Sequence, residues 1–488
     1  MRRPVVFQLE CRAAPWGGQA GASPGPTSEI RTLPAVPWSV NLEVPGHEEI
    51  IEGGLKALKD KSRSSRLVVL SLDGMRPDFY RRPNEFGLKI PNLLELVKSG
   101  ASAEAVESIY PTTTYPAHAT LVTGVRPSVH GIYSHLASLD PTEKARPWCW
   151  FAGALRVPTL WDVVRASGRK TAAISWPVSA AAAIDYNIPE IWDPTMEDPQ
   201  KDFATPARHS TPGLFPEILK VLQPILGGAT PDRLRSEAAL YIWNRYRPDL
   251  LLVHFVHYDQ LAHQFGPTSP QALVAIEQTD QEIGRLREVF LEDEAPTLVV
   301  LSDHGFVPVE KEAAPLSVLA EEGLFDREAD GTPKLGKLGA IHAGGSFAVY
   351  WLEEPSATDR ASLQRAVRRL IEAGTVEEVV DRERLEFLSA DPDAELSIDA
   401  APGVYFSDRF EGPLVRDSLK DRGAHGQLPT RPGLEASFIV AGPEVSGGRN
   451  LGRMALTQVA PTLARLLGLP GDILASNEKP ILELPIFN

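Results

Sequence analysis

The sequence predicts an α/β fold: a mainly parallel central sheet flanked by helices on both faces. Three observations carry this. Short apolar runs such as Leu67–Leu72, 250–253 and Thr297–Leu301 read as strands buried on both faces. Stretches of helical period alternate with them, as in parallel sheets whose crossovers are helices. Polar residues follow the runs closely, Asp73 after the first and Asp303-His304 after the third, the pattern expected where functional groups gather at the carboxyl edge of parallel strands.

In chain order, residues 1–60 read as an irregular arm, since 13–48 are rich in Gly, Pro, Ser and Ala without periodicity. The first strand, Leu67–Leu72, ends at the turn residues Asp73-Gly74. A helix over Pro91–Ser99, a strand over 103–108 and a helix over 115–123 follow. Helices over 157–167 and 238–247 precede strands over 170–175 and 249–254. The amphipathic stretch 271–291 places Leu273, Ile276, Ile283, Leu286 and Phe290 on one face before the strand at 296–301. Residues 305–424 are charge-rich and read as an inserted, largely irregular cap, with a strand over 346–352 and a helix over 362–373. The core pattern resumes with a strand over 436–441 and a helix over 457–467, whose Pro461 is tolerable in a first turn. The catalytic core is therefore expected over 61–304 plus 425–488.

With 488 residues the chain can bury a large core without staples, and its two cysteines, Cys11 and Cys149, lack metal-ligand spacing. A net charge of −15 argues against a broad surface for nucleic acid or anionic lipid. An anionic substrate then needs a local cation, which bound metal can supply. No apolar run approaches the ~20 residues that span a bilayer. After Arg2 and Arg3 only Val5–Phe7 is apolar, too short for a signal segment, so a cytoplasmic compartment is the default expectation.

Asp259 and His263 stand four apart, one helical turn, so both can reach a single metal, although the spacing alone is common on helices. Asp303-His304-Gly305 ends a buried strand, where an Asx turn is the plainer reading. Thr112, Thr113 and Thr114 precede a helix whose first amides could bind phosphate oxygens, or which the threonines could simply cap. His254 reads as a core histidine or, like His257, as a neighbour of a metal ligand. His342, in Ile341-His-Ala-Gly-Gly345, could contact substrate, and Asp280 reads as a buried structural or a solvated carboxylate rather than a ligand.

The ordered set Leu72-Asp-Gly-Met-Arg-Pro77, Tyr110-Pro-Thr-Thr-Thr-Tyr-Pro-Ala-His118 with Thr123-Gly124 and His130-Gly131, Asp259-x-x-x-His263, Ser302-Asp-His-Gly305 and Ala424-His-Gly426 closely resembles the nucleotide pyrophosphatase/phosphodiesterases of the alkaline phosphatase superfamily. The resemblance runs from about Arg66 to the end of the chain. It implies an alkaline phosphatase-like core and two Zn²⁺ ions, one held by Asp259, His263 and His425, the other by Asp73, Asp303 and His304. It also implies Thr114 as nucleophile and metal contact, passing through a phospho-threonine intermediate. The substrate class is then a small-molecule phosphate ester or nucleotide.

One position departs from the pattern. Where the family carries an asparagine that binds a phosphoryl oxygen, this chain has His135, whose imidazole could donate when neutral or add charge when protonated; Ser134 is a possible substitute. Alternatives on the same fold are a phosphomonoesterase, for which an arginine clamp is expected and only Arg126 lies near Thr114 in sequence, a phosphonate hydrolase, or a non-catalytic metal-binding relative. A sulfatase is excluded by the lack of a Cys-x-Pro-x-Arg segment.

Overall fold

The computed structural model describes residues 66–482, apart from 197, 199–200, 293–294, 419 and 471–473. The arm expected over 1–60, with Cys11, lies outside the described residues.

Leu67–Leu72 is buried along its whole length. Its one polar side chain is satisfied, with Ser71 Oγ 2.9 Å from His118 Nε2. The strand pairs in parallel with Leu250–Phe255 on one side and Thr297–Leu301 on the other. Thr171–Ile174 and Tyr186–Ile188 extend the parallel set. Phe438–Ala441 runs antiparallel to Thr297–Leu301, and Ala101–Ser102 and Arg449–Asn450 complete an eight-stranded sheet. Because side chains alternate across a strand, Leu67 and Val69 enter a core shared with helices Thr114–Thr123, Leu160–Ala166 and Val459–Leu466. Val68, Leu70 and Leu72 enter a second core with Pro91–Ser99, Pro231–Tyr246 and Pro270–Leu291. Each fully buried leucine or phenylalanine in these layers contributes about 1.5–3 kcal/mol.

Several boundaries differ from expectation for local reasons. The strand expected over 103–108 splits into Ala101–Ser102 and Ala105–Glu107, because the Glu104 amide donates to Gly452 O at 2.8 Å instead of to a sheet neighbour. The helix expected from 238 starts seven residues earlier, at Pro231, with Thr230 accepting from the Arg233 amide as N-cap. The helix expected from 157 starts at Leu160, set by a capping box between Thr159 and Asp162.

Residues 305–424 are more regular than their composition suggests. Val307–Ala313 pairs with Gly403–Phe406, Val415–Asp417 and Gly423–Ala424. A separate antiparallel sheet orders Leu338–His342, Ser346–Trp351, Leu396–Ala400 and Val376–Val380. Helix Ala357–Glu372 starts five residues before the expected position, behind a Ser356–Asp359 capping box. These elements bury a core of their own around Phe347 and Phe406.

Asp280, which the sequence leaves as structural or solvated, is structural in a specific way. Buried on helix Pro270–Leu291, it accepts from the Leu93 amide at 2.7 Å and the Asn92 amide at 3.2 Å, so it caps helix Pro91–Ser99, which has no side-chain cap of its own. Asp280→Ala leaves these first-turn amides unsatisfied and is expected to cost about 1–3 kcal/mol. Urea unfolding of the variant against wild type measures this.

Candidate metal centre and active site

The parallel strands deliver the polar groups to one edge. Asp73 follows Leu72, and its amide donates to Phe255 O at 2.9 Å. Gly74 turns the chain with φ +72°, and a Cβ there would sit 2.7 Å from the Phe306 ring, so glycine is required on both counts. Its amide donates to Asp303 Oδ1 at 3.2 Å. Asp303 and His304 are fully buried beyond Thr297–Leu301, pinned by Ser108 Oγ donating to Asp303 O at 2.6 Å and Ser302 Oγ donating to Met75 O at 2.7 Å.

Two clusters result. Ligand atoms of Asp73, Asp303 and His304 lie within 4.8 Å of one another, and so do those of Asp259, His263 and His425. Asp259 and His263 share one face of helix His257–Phe265, with Nε2 3.6 Å from Oδ1. His425 follows Gly423–Ala424, and its Nε2 is 3.2 Å from His263 Nε2 and 3.8 Å from Asp259 Oδ1. The His304 and His425 rings stack at 3.8 Å, so the clusters share a wall.

The donor set fits two divalent cations. In each histidine Nδ1 faces only a carbonyl and must donate: His263 to Gly423 O at 3.1 Å, His304 to Gly305 O at 3.0 Å, His425 to Thr112 O at 2.8 Å. Every Nε2 lone pair is thereby turned toward its cluster. One oxygen of each carboxylate, Asp73 Oδ1, Asp259 Oδ1 and Asp303 Oδ2, is buried without a hydrogen-bond partner. Burial, together with the charges of Asp303 and Asp259, pushes the Asp73 carboxyl well above its usual range. Burial, then the neighbouring His304 and His263, holds His425 well below its usual value and keeps it neutral. Carboxylates with orphaned buried oxygens facing imidazole Nε2 atoms are the donor set a metal site requires.

Thr114 opens helix Thr114–Thr123, with Oγ1 3.5 Å from Asp73 Oδ2 and 3.4 Å from His304 Nε2. The capping reading of the three threonines does not hold. Thr113 occupies the N-cap but makes no side-chain cap bond, and its Oγ1 has no partner. Thr112 Oγ1 instead donates to Gln427 O at 2.8 Å and accepts from the Gly426 amide at 2.9 Å, stitching this loop to the His425 segment.

Residues 67–427 match the family described as type I phosphodiesterase / nucleotide pyrophosphatase. The chain belongs to that family. Its similar relatives include an uncharacterized pyrophosphatase/phosphodiesterase of Schizosaccharomyces pombe, 29% identical over 258 residues, covering 50% of this chain and 45% of the relative. A venom phosphodiesterase of Macrovipera lebetinus is 27% identical over 253 residues, with 49% and 25% covered. Human ectonucleotide pyrophosphatase/phosphodiesterase family member 1 is 26% identical over 254 residues, with 49% and 23% covered. The chain therefore spans less than half the length of these relatives. Among solved structures, an inactive form of murine ectonucleotide pyrophosphatase/phosphodiesterase 5 in complex with AMP gives a TM-score of 0.58 at 18% identity, covering 85% of this chain and 97% of that one. Its human counterpart gives 0.57 at 17%, with 84% and 100% covered. The shared fold is alkaline phosphatase-like.

In this member of the family, Thr114, Asp73, Asp259, His263 and His425 line a cavity of about 780 Å³, together with His135. Burial, then the nearby His342 and Arg146, lowers the His135 imidazole to about 3, so it is neutral and the charged alternative falls away. Ser134 is buried, accepts from the Leu136 amide and lies outside this cavity's lining, so it does not replace His135 there.

Three groups, Glu190, Arg235 and Asp232, escaped sequence reading, whereas His254 did not. His254 is a neighbour of a candidate ligand: its Nε2 is 3.0 Å from Asp73 Oδ2 and its Nδ1 3.1 Å from Glu190 Oε2. Burial alone would lower it, but these two carboxylates raise it to about 10. Glu190 also accepts from Tyr115 Oη at 2.9 Å. Arg235 lines the cavity although it lies 121 positions beyond Thr114, which a search for nearby arginines cannot find. Asp232 caps helix His257–Phe265 from the neighbouring helix, accepting from the Val256 and His257 amides at 2.9 and 3.1 Å. His257 itself lies outside the cavity lining.

Metal analysis of the purified protein is expected to give about two divalent ions per chain, one per cluster. His263→Ala should reduce this to about one. Asp232→Ala should weaken binding at the Asp259 cluster about 10–100-fold while leaving the other cluster filled; competition with a chromogenic chelator reads both.

Proposed function

We propose that the protein hydrolyses phosphodiester or pyrophosphate bonds of nucleotide-like small molecules, using two zinc ions and Thr114 as nucleophile through a phospho-threonine intermediate. The observation that carries this is the Thr114 hydroxyl, half-buried at a helix N-terminus within 3.5 Å of Asp73 and His304 and facing the cavity that both clusters line. Mixed imidazole and carboxylate donors suit zinc better than calcium, which prefers an all-oxygen shell. Asp259, His263 and His425 would hold one ion, and Asp73, Asp303 and His304 the other. Bound there, the ions supply Lewis acidity and lower the pKa of an attacking hydroxyl.

The chain's own groups complete the arrangement. Thr114 Oγ1 has Asp73 Oδ2 at 3.5 Å and His304 Nε2 at 3.4 Å within reach of its proton. His118 Nδ1 donates to Thr114 O at 2.9 Å and fixes the first turn, whose free amides can receive phosphoryl oxygens. Neutral His135 donates to a non-bridging oxygen, the role implied for the family's asparagine. The AMP held by the solved mouse relative supports a nucleotide-bearing substrate here. Residues 61–304 and 425–488 form the catalytic core in this reading, and 305–424 a substrate-specificity region, supported by the latter's separate sheets and core.

A phosphomonoesterase is the second reading, favoured by one observation: Arg235 lines the cavity and could clamp a dianion. Zinc-reconstituted turnover of bis-p-nitrophenyl phosphate against p-nitrophenyl phosphate separates the two. The diester is expected to be preferred, and Thr114→Ala to lower kcat by about 10³-fold or more. Preference for the monoester moves the assignment to a phosphatase, and unchanged turnover in Thr114→Ala sinks the covalent mechanism.

A further inference from the structure

The segment Ile341-His-Ala-Gly-Gly345 is unused by the chemistry above, yet it is built into the site. The amide of Gly345 donates to His425 O at 2.7 Å. A Cβ on Gly426 would lie 1.8 Å from Ala343 O, and one on Gly345 would lie 2.0 Å from the Gln427 side chain. The two backbones therefore touch with no room for a side chain between them. Strand Leu338–His342 ends at this lock, and His342 lines the same cavity as Thr114. Its Nδ1 is buried without a hydrogen-bond partner. On its other side, Arg146 donates to both Ser138 O and Ala340 O, tying the strand to the loop that carries His135, whose ring lies 6.3 Å from that of His342.

We infer that His342 is a specificity-determining contact for a neutral, hydroxyl-bearing ester group on the substrate phosphorus, such as a nucleoside or polyol. The inference rests on the phosphodiesterase reading and narrows its substrate class. An imidazole with an unpartnered Nδ1 can trade a donor and an acceptor with a hydroxyl, which itself both donates and accepts. Residues 305–424 bring His342, Tyr405 and Asp421 to the cavity but no lysine or arginine. Among the described residues lining it, Arg235 is the one such cation, and it comes from the core. A pyrophosphate tail directed at the inserted region would meet Asp421 and no positive charge, whereas a sugar or polyol would meet hydrogen-bonding groups.

The test uses the zinc-loaded full chain with a dinucleoside monophosphate, a nucleoside triphosphate and bis-p-nitrophenyl phosphate, whose aryl groups lack hydroxyls. Wild type should favour the dinucleoside monophosphate over the triphosphate in kcat/KM. His342→Ala should raise KM for the dinucleoside monophosphate about 10-fold, the worth of one hydrogen bond, and shrink its advantage over the aryl diester by the same factor. His342→Gln, which keeps a donor and an acceptor, should recover part of the loss, separating a lost contact from a misfolded strand. Equal losses on both diesters, a change confined to kcat, or a wild-type preference for the triphosphate would overturn the inference while leaving the phosphodiesterase reading intact. No hydrolysis of any diester would overturn both.

Discussion

Charge at the carboxyl edge of the sheet is the constraint on which the rest of this structure depends. Asp73, Asp259 and Asp303 converge there, and each keeps one buried oxygen without a hydrogen bond. Burying a carboxylate without compensation costs several kcal/mol, and neighbouring carboxylates add repulsion. His254, raised to about 10, bridges Asp73 and Glu190 and sets a positive charge between those two acids. Three imidazoles complete the edge, each with Nδ1 held by a backbone carbonyl and Nε2 turned toward its cluster. Cations held in the two clusters would offset the carboxylate charge that remains.

The surrounding elements hold this arrangement from outside. Asp232 belongs to helix Pro231–Tyr246, yet caps the helix that carries Asp259 and His263, so the orientation of two candidate ligands depends on a residue that never enters the cavity. Tyr115, the residue after Thr114, bonds Glu190, which bonds His254, which bonds Asp73. That buried chain ties the start of the Thr114 helix to the carboxylate beside the hydroxyl. Positioning of this kind is passive: it fixes where groups stand before substrate arrives.

What the sequence revealed follows from how each group is encoded. Asp73 and Asp303-His304 were legible because they interrupt long apolar runs, and the Asp259–His263 pair because helical spacing is a local property. Glu190 was not, since it follows a three-residue strand, Tyr186–Ile188, too short to stand out. Asp232, and Asp280 which the sequence leaves as structural or solvated, carry no local sign of what they bond: their amide partners lie 24 and 187 positions or more away, and no local pattern records such a distance. Within the inserted region, strand Val376–Val380 escaped because it buries only Val380 fully and carries two glutamates, which dilutes an apolar signal. Thr113 shows the opposite failure, a residue of strong capping preference placed at an N-cap that makes no cap bond.

The lock between Gly345 and His425 also determines what kind of part the inserted region can be. A lid that opens independently of the centre requires a hinge with few contacts crossing it. Here the crossing contact is backbone to backbone at a candidate metal ligand, and the loop on its other side is held through Thr112, which bonds Gln427 O and accepts from Gly426. The Thr114 loop, the His425 segment and the Ala343–Gly345 turn therefore form one interlocked unit with three origins in the chain. Displacing the turn would move the His425 carbonyl, and with it the imidazole whose Nδ1 is bonded to Thr112 O. If the inserted region selects substrate and His425 holds metal, as proposed, the two roles are coupled through that residue, and a change on the inserted side should register in metal affinity as well as in substrate choice.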